Sequence, residues 1–457
     1  LTTLPTIEQL QASLERGDTT SEALTAEALA RIDDPRGEGS RAFTQVYHEQ
    51  ALASARASDM LRSAGLVRSP LEGLPVSVKD LFDVAGQVTW SGSAVLRDAP
   101  PATGHAAIVS RLLASGAILV GKTNMTEFAF SGLGINPHYG TPRSPWDRHT
   151  GRIPGGSSSG AGVAVADGMS AVSIGTDTGG SVRIPSAFCG LTGFKPTARR
   201  VPTMGAFPLS GSLDSIGPLA ASVNCCATVD AVLTGQALVA PAPARTEHLR
   251  LAVAGNTVLE GADETVRTAF DKAIQALRRA GAQVEMLELP EFSRLADINR
   301  QGGFVCAEAW AIHRELLDRS QAGYDPRVAS RILRGRDISA ADYIDLLQIR
   351  RRWIASVERR LAPFDALLLP TAPVIPPAID ALSASDEAYF AANGLILRNP
   401  TLINFLDGCA LSLPCHAQGE APVGLMVAGP AMRDVHILNA GRAIEGVLAD
   451  SLGRTNR

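Results

Sequence analysis

Two stretches rich in glycine and hydroxyl side chains hold the residues best suited to chemistry. They are Gly155-Gly156-Ser157-Ser158-Ser159-Gly160 and Gly175-Thr176-Asp177-Thr178-Gly179-Gly180-Ser181-Val182-Arg183. Loops this dense in small residues let backbone N–H groups approach a ligand closely, as stabilising a developing negative charge requires. A further candidate is Lys79, which follows the apolar run Leu74-Pro75-Val76-Ser77-Val78 and so stands where a short strand ends. A lysine acts as a base only when neutral, and burial favours that form by penalising the ammonium.

Three readings of the serines compete. Gly156-Ser157-Ser158-Ser159-Gly160 has the letters of a Gly-x-Ser-x-Gly nucleophile elbow, which would make Ser158 the nucleophile. An elbow needs an apolar strand directly before it, and Asp147-Arg148-His149-Thr150-Gly151-Arg152-Ile153-Pro154 is polar and loop-like. His416 and His436, the bases such a site would draw on, read as core or surface histidines. A phosphate cradle is the second reading, but no Gly-Lys-Ser/Thr closes either loop and no Gly-x-Gly-x-x-Gly follows a strand. The third is that the glycines only make turns, a reading weakened by having two such clusters and a strand-end lysine.

The elements that must position these residues alternate between helix and strand. Thr6-Ile7-Glu8-Gln9 and Thr19-Thr20-Ser21-Glu22 both fit a capping box, so two helices open the chain, broken at Gly17-Asp18, and are expected to pack outside the core. A helix from Ala106 to Leu113 stops at Gly116 and is followed by a buried strand at Ala117-Ile118-Leu119-Val120. The apolar Ala161-Gly162-Val163-Ala164-Val165-Ala166 between the two glycine loops reads as a buried helix, which would bring the loops together. Leu249 to Val253 and Val284 to Leu289 read as strands around a helix marked by Val266, Ala269, Phe270, Ala273, Ile274 and Leu277. Ala240-Pro241-Ala242-Pro243-Ala244 reads as a short surface loop before this unit. A long helix from Ser339 to Leu361 carries Arg350, Arg351 and Arg352, read as a solvated face, and Ala366 to Pro370 is another buried strand. This alternation is the signature of an α/β protein.

Composition narrows the function. A formal charge of −4 over 457 residues, without a block of like charge, argues against nucleic acid or a membrane surface as the partner and for a small polar substrate. The six cysteines lack Cys-x-x-Cys spacing, which fits reduced thiols in a cytoplasm and no structural zinc. The first residues read neither as a signal peptide nor as a membrane span, and Leu1 fits a trimmed terminus.

Taken in order, several motifs resemble the amidase signature family, serine hydrolases that use a Ser-Ser-Lys triad. They are Val76-Ser77-Val78-Lys79-Asp80, Gly121-Lys122-Thr123-Asn124-Met125-Thr126-Glu127-Phe128, Pro145-Trp146-Asp147, Gly155-Gly156-Ser157-Ser158 and Gly175 to Arg183. Near the end, Asn404-Phe405, Leu411-Ser412-Leu413-Pro414 and Pro422-Val423-Gly424-Leu425-Met426 resemble the family's last core strands. The resemblance implies one α/β domain over 1–457, a mixed sheet sandwiched by helices. Within it, a helical segment to about 65 would precede a catalytic core over about 66–235 and the rest of the core and its helical cover over about 236–457.

By motif position the resemblance makes Ser181 the acylated nucleophile, Lys79 the general base, and Ser157 the bridging serine that follows a cis peptide bond. The register to Ser181 selects Ser157 over Ser158 or Ser159. Ser159 itself departs from the family pattern, which has glycine there. The backbone N–H groups of Thr178, Gly179, Gly180 and Ser181 become the expected oxyanion hole. Ser131 and Gly132 fall where related enzymes line the acyl pocket. Arg183 is read as the structural partner of Asp177, and Lys122 is a rival base. The implied reaction is hydrolysis of a carboxylic amide through a Ser181 acyl-enzyme, with no metal or organic cofactor and no direct nucleic-acid or membrane partner, and with a homodimer left open. One alternative is the glutamine-hydrolysing component of a tRNA-dependent amidotransferase, disfavoured because Ile396-Leu397-Arg398-Asn399-Pro400 lacks an acid. The other is a catalytically silent binding protein that keeps the fold.

Overall fold

The computed structural model describes residues 4–237 and 244–453. Its strands are β1 (Phe43–Val46), β2 (Pro75–Lys79), β3 (Ile118–Thr123), β4 (Val172–Asp177), β5 (Thr192–Lys195), β6 (Ser215–Ala220), β7 (Arg250–Ala254), β8 (Gln283–Leu287), β9 (Ala366–Pro370), β10 (Cys409–Pro414) and β11 (Gly424–Gly429). All join one 11-stranded sheet in the order β1-β3-β2-β4-β6-β5-β10-β11-β9-β7-β8. β2 runs parallel to both β3 and β4, β9 and β8 run parallel to β7, and the other pairs are antiparallel. The expected mixed sheet with helical cover is therefore the fold.

Both faces of the sheet are covered, and the strand period explains how. Leu251 and Val253 join one apolar core while Ala252 and Ala254 join another, and Leu368 separates from Leu367 and Leu369 in the same way. A strand buried on both faces reads as a continuous apolar run instead of an alternating one, as Ala366-Leu367-Leu368-Leu369 does. The parallel β2 and β4 are neighbours, so their C-terminal ends, Lys79 and Asp177, lie at one end of the sheet. In open α/β sheets that end is where ligands bind.

The helix Ser159–Ala166 is buried over seven of its eight positions, as its small apolar residues required. Gly160 is obligatory there: a Cβ would lie 2.1 Å from the Ala42 carbonyl oxygen. The unit around β7 and β8 holds as read, with its helix at Glu264–Arg279.

Several expectations are corrected. Thr6 and Gln9 form a capping box, and Gly17 ends that helix in the left-handed region. The second helix starts one residue later than its pattern suggested: Thr20, not Thr19, caps it through the Ala23 N–H. There Asp59 accepts from the Ser21 and Glu22 N–H groups, so a neighbouring helix completes the cap that Glu22 was expected to supply. The opening helices are not outside the core either, since Ile7 and Leu14 are buried within its largest part. On Ala340–Leu361, Arg351 and Arg352 are exposed, but Arg350 turns inward and donates to the carbonyls of Phe405, Ser212 and Asn404. Asn404 and Phe405 end the helix Asp386–Phe405 and are not on a strand. The Ala-Pro alternation at 240–243 lies outside the described residues.

Candidate active site

Lys79, the last residue of β2, is wholly buried and has two hydroxyl partners. Its Nζ lies 2.7 Å from Ser157 Oγ and 2.9 Å from Thr176 Oγ1. Burial pushes its pKa down to about 7, against the pull of the Asp214 and Asp177 carboxylates, which favour the ammonium. Lys79 therefore lies near its neutral form at neutral pH, with the Ser157 and Thr176 hydroxyls within hydrogen-bond reach of its amine.

Ser157 follows a cis peptide bond from Gly156. Its carbonyl accepts from the Thr126 N–H at 3.0 Å, and the Gly156 N–H donates to Gly132 at 2.8 Å, so the motif around Thr126 and the Ser131-Gly132 turn grip this loop from both sides. The two glycine loops meet, with the Ser158 N–H donating to the Ser181 carbonyl at 3.4 Å. The hydroxyls of Ser157 and Ser181 are not hydrogen-bonded to each other. Ser181 is 3% exposed and directly precedes the turn into the helix Arg183–Cys189.

The loop that carries Ser181 is wound around one carboxylate. Asp177, the last residue of β4, accepts from the backbone N–H groups of Gly180 (2.8 Å), Val182 (3.1 Å) and Arg183 (3.3 Å). The Arg183 guanidinium binds it through two nitrogens at 3.0 and 2.8 Å, and Asn404 Nδ2 adds a contact at 2.9 Å. Burial alone would raise the Asp177 carboxyl, but Arg183, with Lys195 and Asn404, holds it well below the usual carboxylate range. Arg183 is therefore the structural partner of Asp177. Gly180 adopts φ +126°, a conformation open to glycine, and a Cβ there would meet Pro400 at 2.6 Å. Asp177→Asn is expected to cost about 3–5 kcal/mol in stability by stranding a buried guanidinium charge, read as a fall in the urea midpoint.

This winding corrects one of the four expected oxyanion donors: the Gly180 N–H is committed to Asp177 Oδ1 at 2.8 Å, which leaves Thr178, Gly179 and Ser181 of that expected set. The other candidate residues read from the sequence are engaged elsewhere. Lys122 forms a wholly buried ion pair with Asp80 at 2.8 Å, Ser158 Oγ donates to the Thr176 carbonyl, and the extra hydroxyl of Ser159 donates to the Asn124 carbonyl. His416 Nδ1 meets the Val423 N–H, and His436 Nε2 lies 3.1 Å from the Asp365 carbonyl. Ser131 Oγ and the Gly132 N–H both donate to Asn393 Oδ1 at 2.9 Å, which ties this turn to the Asp386–Phe405 helix.

Thr176 and Asn404 contact this cluster, although the motif reading quoted both within motifs without giving either a role at the site. Thr176 sits inside the quoted Gly175 to Arg183 motif, one residue before the strand ends, and that placement was the available signal. Asn404 comes from a helix over 220 residues away in the chain, as its bond to Arg183 at 2.6 Å shows. Among the described residues, no three His, Cys, Asp or Glu side chains are grouped to hold a metal ion. Cavities of about 780 and 530 Å³ open on the surface, and neither is lined by Lys79, Ser157 or Ser181.

The chain is similar to known proteins over most of its length. Residues 23–438 match the family described as Amidase. The chain is 38% identical to a 2-amino-5-chloromuconic acid deaminase of Comamonas testosteroni, over 87% of each chain. It is 32% identical to the first subunit of a glutamyl-tRNA(Gln) amidotransferase from Chloroflexus aggregans, over 97% of this chain and 96% of the relative. A solved crystal structure of an amidase superposes with a TM-score of 0.86 at 34% identity, covering 96% of this chain and 99% of that one. The chain belongs to the amidase signature family, hydrolases of the carbon–nitrogen bonds of amides.

Proposed function

We propose that the chain hydrolyses a small carboxylic amide through an acyl-enzyme on Ser181, with Ser157 as the proton relay and Lys79 as the base. The observation that carries this reading is the 2.7 Å contact between Ser157 Oγ and a wholly buried lysine whose pKa falls to about 7. In the first step neutral Lys79 takes the Ser157 proton while Ser157 takes that of Ser181, and Ser181 Oγ adds to the amide carbonyl carbon. The resulting oxyanion is held by the N–H groups of Thr178, Gly179 and Ser181. Collapse breaks the carbon–nitrogen bond, and the proton on Lys79 returns through Ser157 to the departing nitrogen, releasing ammonia or an amine. Water then adds to the ester, gives its proton along the same route, and frees the acid and Ser181. Ser131 and Gly132, beside the Ser157 loop, form part of the acyl wall. The six cysteines are all buried and none is joined in a disulfide, which supports a reducing cytoplasmic setting.

The amidotransferase reading draws on a relative of similar length. Against it stands the stretch Ile396 to Pro400, which carries no acid and whose Asn399 instead donates to the carbonyls of Val258 and Pro370. Purified alone, the protein is expected to hydrolyse an aryl or aliphatic amide faster than glutamine, read as ammonia or amine release across a panel. Dependence on a small partner chain together with glutamine would favour the amidotransferase instead.

A further inference from the structure

The antiparallel register of β4 and β6 pairs Asp177 with Ser215, so the residues just beyond that pair, Thr178 and Asp214, leave the sheet side by side. Thr178 Oγ1 donates to Asp214 Oδ1 at 2.5 Å, and the second carboxylate oxygen accepts from the N–H groups of Leu209 (2.9 Å) and Ser210 (3.1 Å). Residues 209–214 thus form a strap that closes on its own acid. Glu308, on the helix Gly303–Ser320, anchors the strap by accepting from Ser210 Oγ (2.6 Å) and the Ser212 N–H (3.0 Å), and Tyr343 OH donates to Glu308 in turn (2.6 Å). Arg350 holds the Ser212 carbonyl from the Ala340–Leu361 helix at 3.1 Å.

We propose that Asp214 is a positioning residue for amide hydrolysis, holding Thr178 so that the backbone of the oxyanion loop faces the substrate carbonyl. The proposal rests on the reading of Thr178 to Ser181 as the oxyanion loop. Asp177 grips that loop only from Gly180 onward, and the carboxylate that fixes its first turn is Asp214. Asp214 also reaches Lys79 electrostatically, since its charge favours the ammonium form there. The charged groups around Asp214 are Lys79 at the end of β2, Asp177 at the end of β4, Glu308 on its helix, and Arg199, Arg350, Arg351 and Asp407 around the 530 Å³ cavity onto which Asp214 opens. Burial and the nearby Glu308 raise the Asp214 carboxyl to about 6, with Thr178 and the strap N–H groups opposing, so it carries its charge at neutral pH and above.

The test is steady-state kinetics on a chromogenic amide from pH 5 to 9 for Thr178→Val, Thr178→Ser, Asp214→Asn and the double variant, beside fluorophosphonate labelling of Ser181. Thr178→Val should lower kcat by on the order of 10- to 100-fold with KM little changed, because the loop is displaced and not removed. Thr178→Ser, which keeps the hydroxyl, should recover most of that loss. Asp214→Asn should lower kcat similarly and also move the acidic limb of the profile to lower pH, since a lost negative charge depresses the Lys79 pKa further. Thr178→Val should leave that limb in place, and the double variant should be no slower than Asp214→Asn. A Thr178→Val enzyme with wild-type kcat, a Thr178→Ser enzyme as slow as Thr178→Val, or multiplicative losses in the double variant would each overturn the proposal. Were Asp214→Asn not to fold, the Thr178 pair would still decide it. Normal labelling of Ser181 alongside a fast Thr178→Val enzyme rejects the positioning role alone, whereas failure to label Ser181 rejects the acyl-enzyme reading first.

Discussion

A fluorophosphonate is expected to add covalently to Ser181, and Ser181→Ala to abolish both labelling and turnover. The loss should be on the order of 10⁵- to 10⁶-fold in kcat, as is usual when the nucleophile itself is deleted. The expectation follows from the loop around Asp177. Three backbone N–H bonds and a two-nitrogen guanidinium contact fix the turn that presents Ser181, while Gly180 gives it a conformation that side chains resist. Peptide mapping decides the matter. A label on Ser158 would restore the elbow reading, although that hydroxyl is buried and donates to the Thr176 carbonyl.

Lys79→Ala and Ser157→Ala should each slow single-turnover acylation at neutral pH by on the order of 10²- to 10⁴-fold, the usual scale for losing a general base. Since the two side chains act as one relay, the double variant should be little worse than the poorer single variant. The pH profile carries a sign. Neutral lysine is the active form, so the wild-type rate should rise as pH increases through the Lys79 pKa and then level off. Burial lowers that pKa to about 7, and the rise should centre there instead of near the unperturbed value of about 10.4. A rise centred near 10, or near-wild-type acylation by a folded Lys79→Ala protein, would remove Lys79 from the mechanism. The search would then pass to Lys122, which pairs with Asp80 at 2.8 Å.

Much of this architecture was legible in local sequence. A cap at Thr6, the glycine at 17 and the small apolar run at 161–166 each depend on contacts a few residues long, so pattern and structure agree there. Thr19 failed for the opposite reason: Asp59, on another helix, supplies the acceptor for the Ser21 and Glu22 N–H groups. The arginine triplet failed likewise, since only packing of its helix against Phe405 and Ser212 turns Arg350 inward while Arg351 and Arg352 stay in solvent.

The sequence by itself marked Lys79 and the serines of the two glycine loops as candidates, because a lysine ending an apolar run and serines within glycine loops are properties of neighbouring residues, while the roles of base, relay and nucleophile came from the resemblance that the ordered motifs carry. The ordered motifs determined the family for the same reason. Tertiary structure alone decided what those residues experience. The parallel pairing of β2 with β4 brings Lys79 to Thr176, and burial is what lowers the pKa of that lysine to about 7. That the Gly180 N–H is engaged depended on the Asp177 carboxylate, which is itself held by Asn404 from a helix that no local pattern connects to position 177. The strap that sets Asp214 beside Thr178 is of this kind too: a strand register, an acid at 308 and a hydroxyl at 178 converge only once the chain has folded.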